Sequence, residues 1–392
     1  MSLRFDAAAR QRMAVLASST ALFILVDSGF NVVGPLWATS DLGLDNAGWA
    51  FLRSAAEFGG LITIVGSGIL SDRLGARRMS ALALLGAAMA MAGLAAQIAT
   101  LWLMMILGAF VSTVYVSFNT LAQSVSCERQ SLANAIYRAA GAFATVLAPV
   151  IATQAGQATG DYASVLWVGS LVLAISAGLI LFYSEQATPA PSRSFRQLLN
   201  AYGRGFTTRP LLAFILLTRG FGAALAAVSA FAALRFTREL SLSEPDFGVL
   251  RSSVAVASLV AVLGSGWVVD RLRPSRTLAI AWFGCGLASL VMGLSDSLRV
   301  TVIAYAIYAP LLTTCSVPLS LWGSHIAQGD GPGQTTVFTV AKVFQSGITM
   351  LSMALLGVLE PLLGMTTLMA CGGLLALPFA VGIMRLGREQ KI

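Results

Sequence analysis

The sequence predicts an all-α polytopic membrane protein with twelve transmembrane helices in two pseudo-symmetric six-helix bundles. Three observations predict it: an apolar excess, the recurrence of long apolar runs, and an internal repeat. Apolar residues make up 57% of the 392, charged residues only 11%, and the mean hydropathy is +0.80. A soluble domain carries charge at about twice that density, so lipid rather than water is the main solvent. A helix crossing the hydrocarbon core needs roughly 20 predominantly apolar residues. Twelve such windows run approximately 13–38, 46–70, 79–98, 101–124, 133–157, 162–184, 208–236, 246–269, 277–295, 299–325, 334–358 and 362–385. They are continuous, whereas barrel strands are about 10 residues long and alternate.

Charge sets the expected orientation. With the N-terminus cytoplasmic, basic residues gather inside at 4–12, 73–78, 129, 193–209, 271–276 and 385–391. The outside loops carry mainly Asp41, Asp45, Asp161, Glu244, Asp246 and Asp296, with Arg235, Arg238 and Arg299 as exceptions. This bias places both termini inside, in a multi-pass inner membrane protein. It also accounts for the net charge of +8 without a nucleic-acid partner, and it sets basic loops against the anionic head groups of the bilayer. The first apolar run is too long, and lacks a small-residue cleavage site, to be a removable signal peptide. Cys127, Cys285, Cys315 and Cys371 have no metal-ligand spacing; they read as packing residues, and neither a metal nor a cofactor is expected.

The longest polar break, 185–207, contains Pro189 and Pro191 and divides an N-terminal bundle, 1–184, from a C-terminal bundle, 208–392. The halves share a repeat. LRSAAEFGGLITIVGSGILSDRLGARR at 52–78 and LRSSVAVASLVAVLGSGWVVDRLRPSR at 250–276 align at a constant offset of 198, with Arg53, Asp72, Arg73 and Arg78 matched by Arg251, Asp270, Arg271 and Arg276. Apolar segments match by chance, but charges do not, so the second and eighth spans are one element repeated in the same orientation.

GSGILSDRLGARR resembles the signature loop between the second and third helices of the major facilitator superfamily of secondary transporters; the second copy departs from it at Arg273 and Pro274. The resemblance implies a monomer that moves a small solute by alternating access. It implies a conformational-switch motif of Gly66, Gly68, Asp72, Arg73, Gly75, Arg77, Arg78, Asp270 and Arg271. In that motif Asp72 caps the eleventh helix near Gly333–Thr335 in the outward-open state, a contact of about 0.3–1 kcal/mol, and Asp270 caps the fifth. Gly66 and Gly68 suit close helix approach in lipid. Arg73, Arg77 and Arg78 either join this switch or reach out to lipid phosphates.

Ionisable residues inside spans are costly unless they face a cavity or a partner. Asp27 lies mid-way along the first span with Asn31 one turn on; apolar surroundings favour the neutral carboxyl, so it is the first proton-coupling candidate. A structural contact to a neighbouring helix is the plainer reading. Glu57, the second such candidate, is spaced i, i+4 from Arg53 and can pair with it. Arg251 repeats Arg53 but has Ala255 where the carboxylate would be; both arginines read as substrate contacts or gate locks. Arg219 sits midway down the seventh span, a partner for Asp27 or for an anionic group on the cargo. Arg138 and Lys342 occupy similar places in the fifth and eleventh spans. Tyr137, Asn119, Gln123, Gln345 and Trp322 are further candidates for lining the substrate cavity, with helix packing as the alternative, and the sole histidine, His325, reads as a surface or capping residue.

Two departures bear on direction. The fourth-helix arginine usual in proton-driven drug exporters of this family is absent, since Met104 stands four residues before Gly108, and the fifth-helix glycine and proline motif survives only as Gly141 and Pro149. The sequence reading is proton-coupled export of a small anionic, zwitterionic or amphipathic solute. Its alternatives are proton-coupled import of an organic anion and a non-transporting sensor or assembly protein on the same scaffold. An enzyme is not expected, because HExxH, GxSxG and clustered Cys and His ligands are missing.

Overall fold

The computed structural model describes residues 7–124, 130–183, 209–315, 318–319 and 334–389, which contain helices and, among the described residues, no strand. In order they are α1 (Ala7–Ser40), α2 (Asn46–Leu74), α3 (Ala76–Ala95), α4 (Thr100–Ser124), α5 (Gln130–Thr159) and α6 (Ala163–Ile180). The second half has α7 (Arg209–Ala224), α8 (Ala226–Leu234), a π-helical turn (Arg235–Glu239), α9 (Glu244–Leu272), α10 (Pro274–Leu294), α11 (Leu298–Thr314) and α12 (Gln334–Glu389). Among the described residues nine helices are long and apolar enough to cross a membrane. The other expected spans fall on helices as well. Lys342–Arg388 is one apolar stretch of 47 residues, broken in two at Gly364 by a positive φ of 75°. α2 is 29 residues long, and α11 has 17 residues.

The repeat extends beyond the motif that revealed it. α9, α10 and α11 each begin 198 residues after α2, α3 and α4. The joint between α2 and α3 is Gly75 (φ 83°, ψ 141°); its counterpart between α9 and α10 is Arg273 (φ 70°, ψ 150°). A side chain in that region strains the backbone by about 1–3 kcal/mol. The joint keeps its shape in the second half although the glycine that makes it easy is gone.

By contact the chain divides into two compact units, Met1–Gly43 with Ala55–Arg193, and Leu44–Ser54 with Ser194–Ile392. In the first, α1 packs along α5 and α6, and α3 along α4 and α6. Phe23, Leu36, Trp37, Leu84 and Phe118 fill its core. α2 crosses α4 backbone to backbone: a Cβ at Gly59 would lie 1.8 Å from the Met105 carbonyl oxygen, and one at Gly108 would lie 1.8 Å from that of Ala56. Lipid gives helices no hydrophobic reason to associate, so close approach and dispersion do the holding. At Gly66, expected to serve such an approach, a Cβ would meet nothing within 4 Å among the described residues. The crossing point lies two turns nearer the start of α2.

In the second unit α12 runs along α7 and α10, and α10 beside α11. Gly286 and Gly373 bring α10 and α12 together, and Gly372 admits the Ala224 carbonyl, 2.2 Å from where a Cβ would stand. The first turns of α2 belong here: Asn46 Nδ2 donates to Glu360 Oε1 at 2.9 Å and Ser54 Oγ to the Met350 carbonyl at 3.0 Å. Large apolar side chains such as Met89, Trp102, Leu171, Ile303 and Leu351 are exposed. Such a surface suits acyl chains. Hydroxyls inside the spans turn to carbonyls one turn back, as Thr39, Ser80, Thr113 and Thr153 do, which satisfies them without water.

Gly108→Ala should lower the unfolding temperature in detergent, by overpacking worth about 1–3 kcal/mol, whereas Gly66→Ala should be neutral or stabilise by roughly 0.5–1 kcal/mol. Equal effects at the two positions would remove the crossing from the account. Arg273→Gly should raise stability by about 1 kcal/mol through relief of backbone strain; a lower melting temperature in that variant would show the joint is unstrained.

Candidate transport site

In the first unit Asp27 is half-buried in α1. Tyr115 of α4 donates its hydroxyl to Asp27 Oδ2 at 2.8 Å. Phe23, one turn earlier on α1, meets the Tyr115 ring edge-on (5.0 Å, 75°) and Phe118 likewise (5.9 Å, 80°), so packing aims the hydroxyl at the carboxylate. Asn31 Nδ2 donates to the Asp27 main-chain carbonyl at 2.8 Å, which ties the amide to its own helix. Ser28 Oγ and Thr145 Oγ1 lie 3.4 Å apart, linking α1 to α5. Tyr137 is buried on α5, Asn119 is exposed on α4, and Glu57 is half-buried on α2. Glu57 and Asp27 both have further interacting partners. The side chains of Gln123 and Arg138 lie outside the described residues.

Of the switch motif, Gly75 makes the turn already described and Gly66 faces open space. Arg77 does not reach for lipid: its Nη1 donates to the Tyr183 carbonyl at 3.1 Å, just beyond the end of α6. A cation is favoured at a helix C-terminus. Tyr183 is itself fully buried and donates its hydroxyl to the Leu121 carbonyl at 3.1 Å. Arg78 and Arg271 are exposed, and Arg271 has interacting partners. The side chains of Gly68, Asp72, Arg73 and Asp270 lie outside the described residues, as do Gly333 and its neighbours before α12.

In the second unit Arg219 is half-buried in the third turn of α7. Its Nε is buried with no hydrogen-bond partner, and among the described residues no carboxylate pairs with it. The neighbouring faces of α7 are filled by aromatics: Gly220 makes room for Phe379, and Phe221 stacks on Trp282 at 4.4 Å and 9°. Six residues on, the helix breaks at Leu225 (φ −93°, ψ 8°). Arg251 is half-buried and unpaired among the described residues. Arg53, half-buried at the start of α2, and Lys342 on α12 have interacting partners, and Gln345 is half-buried beside Lys342. Trp322, like His325, lies outside the described residues.

Two features escaped the sequence reading. Tyr115 was not singled out, since one tyrosine in an apolar span carries no signal of where its hydroxyl points. Arg235, expected in an outside loop, is only 4% exposed. It sits in the π-helical turn, pairs with Glu239, and donates through Nη2 to the Ser295 carbonyl at 2.8 Å and to Asp296 Oδ1 at 3.2 Å. A carbonyl and two carboxylates draw the guanidinium in and bind the end of the seventh span to the loop between α10 and α11. Among the described residues no three His, Cys, Asp or Glu side chains gather as metal ligands, and Cys285 and Cys315 are buried as free thiols.

The sequence profile of the Major Facilitator Superfamily matches residues 16–341. The chain belongs to this superfamily. No curated protein matches its sequence closely enough to be counted. The nucleoside transporter NupG superposes with a TM-score of 0.78 at 13% identity, over 96% of this chain and 98% of its own. The human organic anion transporter MFSD10 (TETRAN) gives 0.67 at 16% identity, over 96% and 99%. A bacterial homologue of the human lysosomal transporter Spinster, inward-facing and unoccupied, gives 0.70 at 11% identity, over 98% and 96%. At such identities these likenesses establish the fold. Superfamily membership and fold together make the protein a multi-pass membrane transporter.

Tyr115→Phe, Asp27→Asn and the double variant form a cycle on one hydrogen bond. A bond to a charged carboxylate is worth about 1.5–3 kcal/mol, and thermal unfolding of the four proteins should show coupling of that size. Additive effects would mean that the hydroxyl and the carboxylate do not depend on each other.

Proposed function

We propose that the protein exports a small organic solute bearing an anionic group, in exchange for protons, by alternating access. Arg219 carries this reading. A guanidinium in the middle of a span is expensive without a counter-charge, and Arg219 is held half-buried with no carboxylate paired to it among the described residues. An anionic or zwitterionic cargo supplies the missing charge; an amphipathic one would also use the aromatic surfaces beside it. Asp27, with its Tyr115 hydrogen bond, is the proposed proton carrier, and Glu57 a second one. Arg53, Arg251, Asn119, Gln123, Tyr137, Arg138, Trp322, Lys342 and Gln345 are proposed to complete the polar lining, and the residues of the signature loop to act as the switch.

The membrane potential supports the outward direction. Across an inside-negative membrane each charge is worth about 2.3 kcal/mol per 100 mV. An anion moving out and a proton moving in both run down that potential. Placement in the inner membrane with both termini cytoplasmic rests on the arginine bias of the loops.

Uptake of a panel of radiolabelled organic anions into inside-out vesicles tests the proposal. An imposed pH gradient should accelerate it, Arg219→Ala should abolish it, and Arg219→Lys should keep part of it. Asp27→Asn should remove the response to the gradient while leaving exchange of cargo. Uptake of cations alone, or activity untouched by Arg219→Ala, would overturn the anion reading; uptake only in right-side-out vesicles would reverse the direction.

A further inference from the structure

A groove in the first unit lies apart from these polar residues. α1 forms its floor with Val26, Gly29 and Val33; α5 and α6 form its walls, with Ala155 and Gly169 among the wall residues. It encloses about 90 Å³, and every side chain lining it is apolar. It exists because α5 and α6 both lean on α1 and touch each other little, and because glycines and alanines leave the space between them unfilled. Its base is deeply buried, with Val33 1% and Leu166 2% exposed, while Ile151 and Val168 at its mouth are 49% and 61% exposed. Beyond the mouth the exposed surface is still apolar, through Leu147, Trp167 and Leu171.

We infer that this groove is a binding site for one acyl chain of a bilayer lipid, lying along α1. Its mouth opens on the apolar surface that faces acyl chains, so lipid is the occupant always at hand. Water is disfavoured, because a bound water needs two to four polar partners and no polar side chain lines the groove. Vacancy is unfavourable too, since wall atoms beside a void lose their dispersion partners. The space is too small for a helix, which is about 10–12 Å across, and long enough for an alkyl segment, because Val26 to Val33 covers about 10 Å at 1.5 Å per residue. The floor stripe adjoins the face that carries Asp27, about 100° round the same helix. A chain seated in the groove braces α1 from that adjoining face while Tyr115 holds Asp27.

The test uses the full-length protein in nanodiscs of phosphatidylcholine with a diazirine midway along one acyl chain. Photolysis and peptide mass spectrometry should place adducts on 25–33 and 148–172 in excess of those on the exposed surface at Leu351 and Leu355. Ala155→Phe and Val172→Phe each fill the groove from a half-buried position. Either variant that melts normally should lose most groove adducts and keep those at Leu351. Groove labelling no higher than at Leu351, labelling that survives a filled groove, or chain-to-chain adducts in place of lipid adducts would each overturn the site. If neither variant folds, the distribution of adducts on the native protein decides.

Discussion

A charge drawn into the protein or its spans has to be met by a partner, and the way each one is met sorts the ionisable residues of this protein. Arg235 is met by Glu239, the exposed Asp296 and a main-chain carbonyl, and so fastens two segments 60 residues apart. Arg77 is met by the carbonyl end of a helix. Asp27 accepts the Tyr115 hydroxyl and has further partners besides. Arg219 has no such answer among the described residues. The charges thus range from the firmly held Arg235 to Arg219, the one on which the proposed cargo site rests.

The apolar part of the chain obeys a second constraint. Because lipid does not drive helices together, association depends on how near two backbones can come. The tight crossings are made where glycine meets a main-chain carbonyl: Gly59 and Gly108 in the first unit, Gly372 and Gly373 in the second. Gly66 and Gly264, by contrast, have open space around them among the described residues. The same small residues that close some seams leave a groove beside α1 where three helices meet imperfectly. Acyl chains are the natural filling for such a gap, so bilayer and protein share in supporting the helix that bears Asp27.

Duplication is the third theme. Three consecutive helices recur at a fixed interval of 198 residues, and the joint between the first two keeps its dihedral angles even where Arg273 replaces glycine. Partners of the helices on either side determine that joint more strongly than the residue within it. The two copies are therefore alike in backbone and share four charged positions, but Glu57 is answered by Ala255.

Helix content, the membrane setting and the repeat were legible in the sequence because hydropathy and periodicity are local properties, summed over some 20 residues at a time. The mid-span charges were legible for the same reason, since an Asp or Arg stands out against apolar neighbours. What each charge touches was not. Whether Asp27 meets Tyr115, Arg77 the end of α6, or Arg235 the loop at Ser295 depends on residues 60 to 106 positions away, and on the face that each helix turns to its neighbour. A small rotation of a helix changes those partners and leaves its hydropathy untouched, and that is why tertiary packing alone decided them.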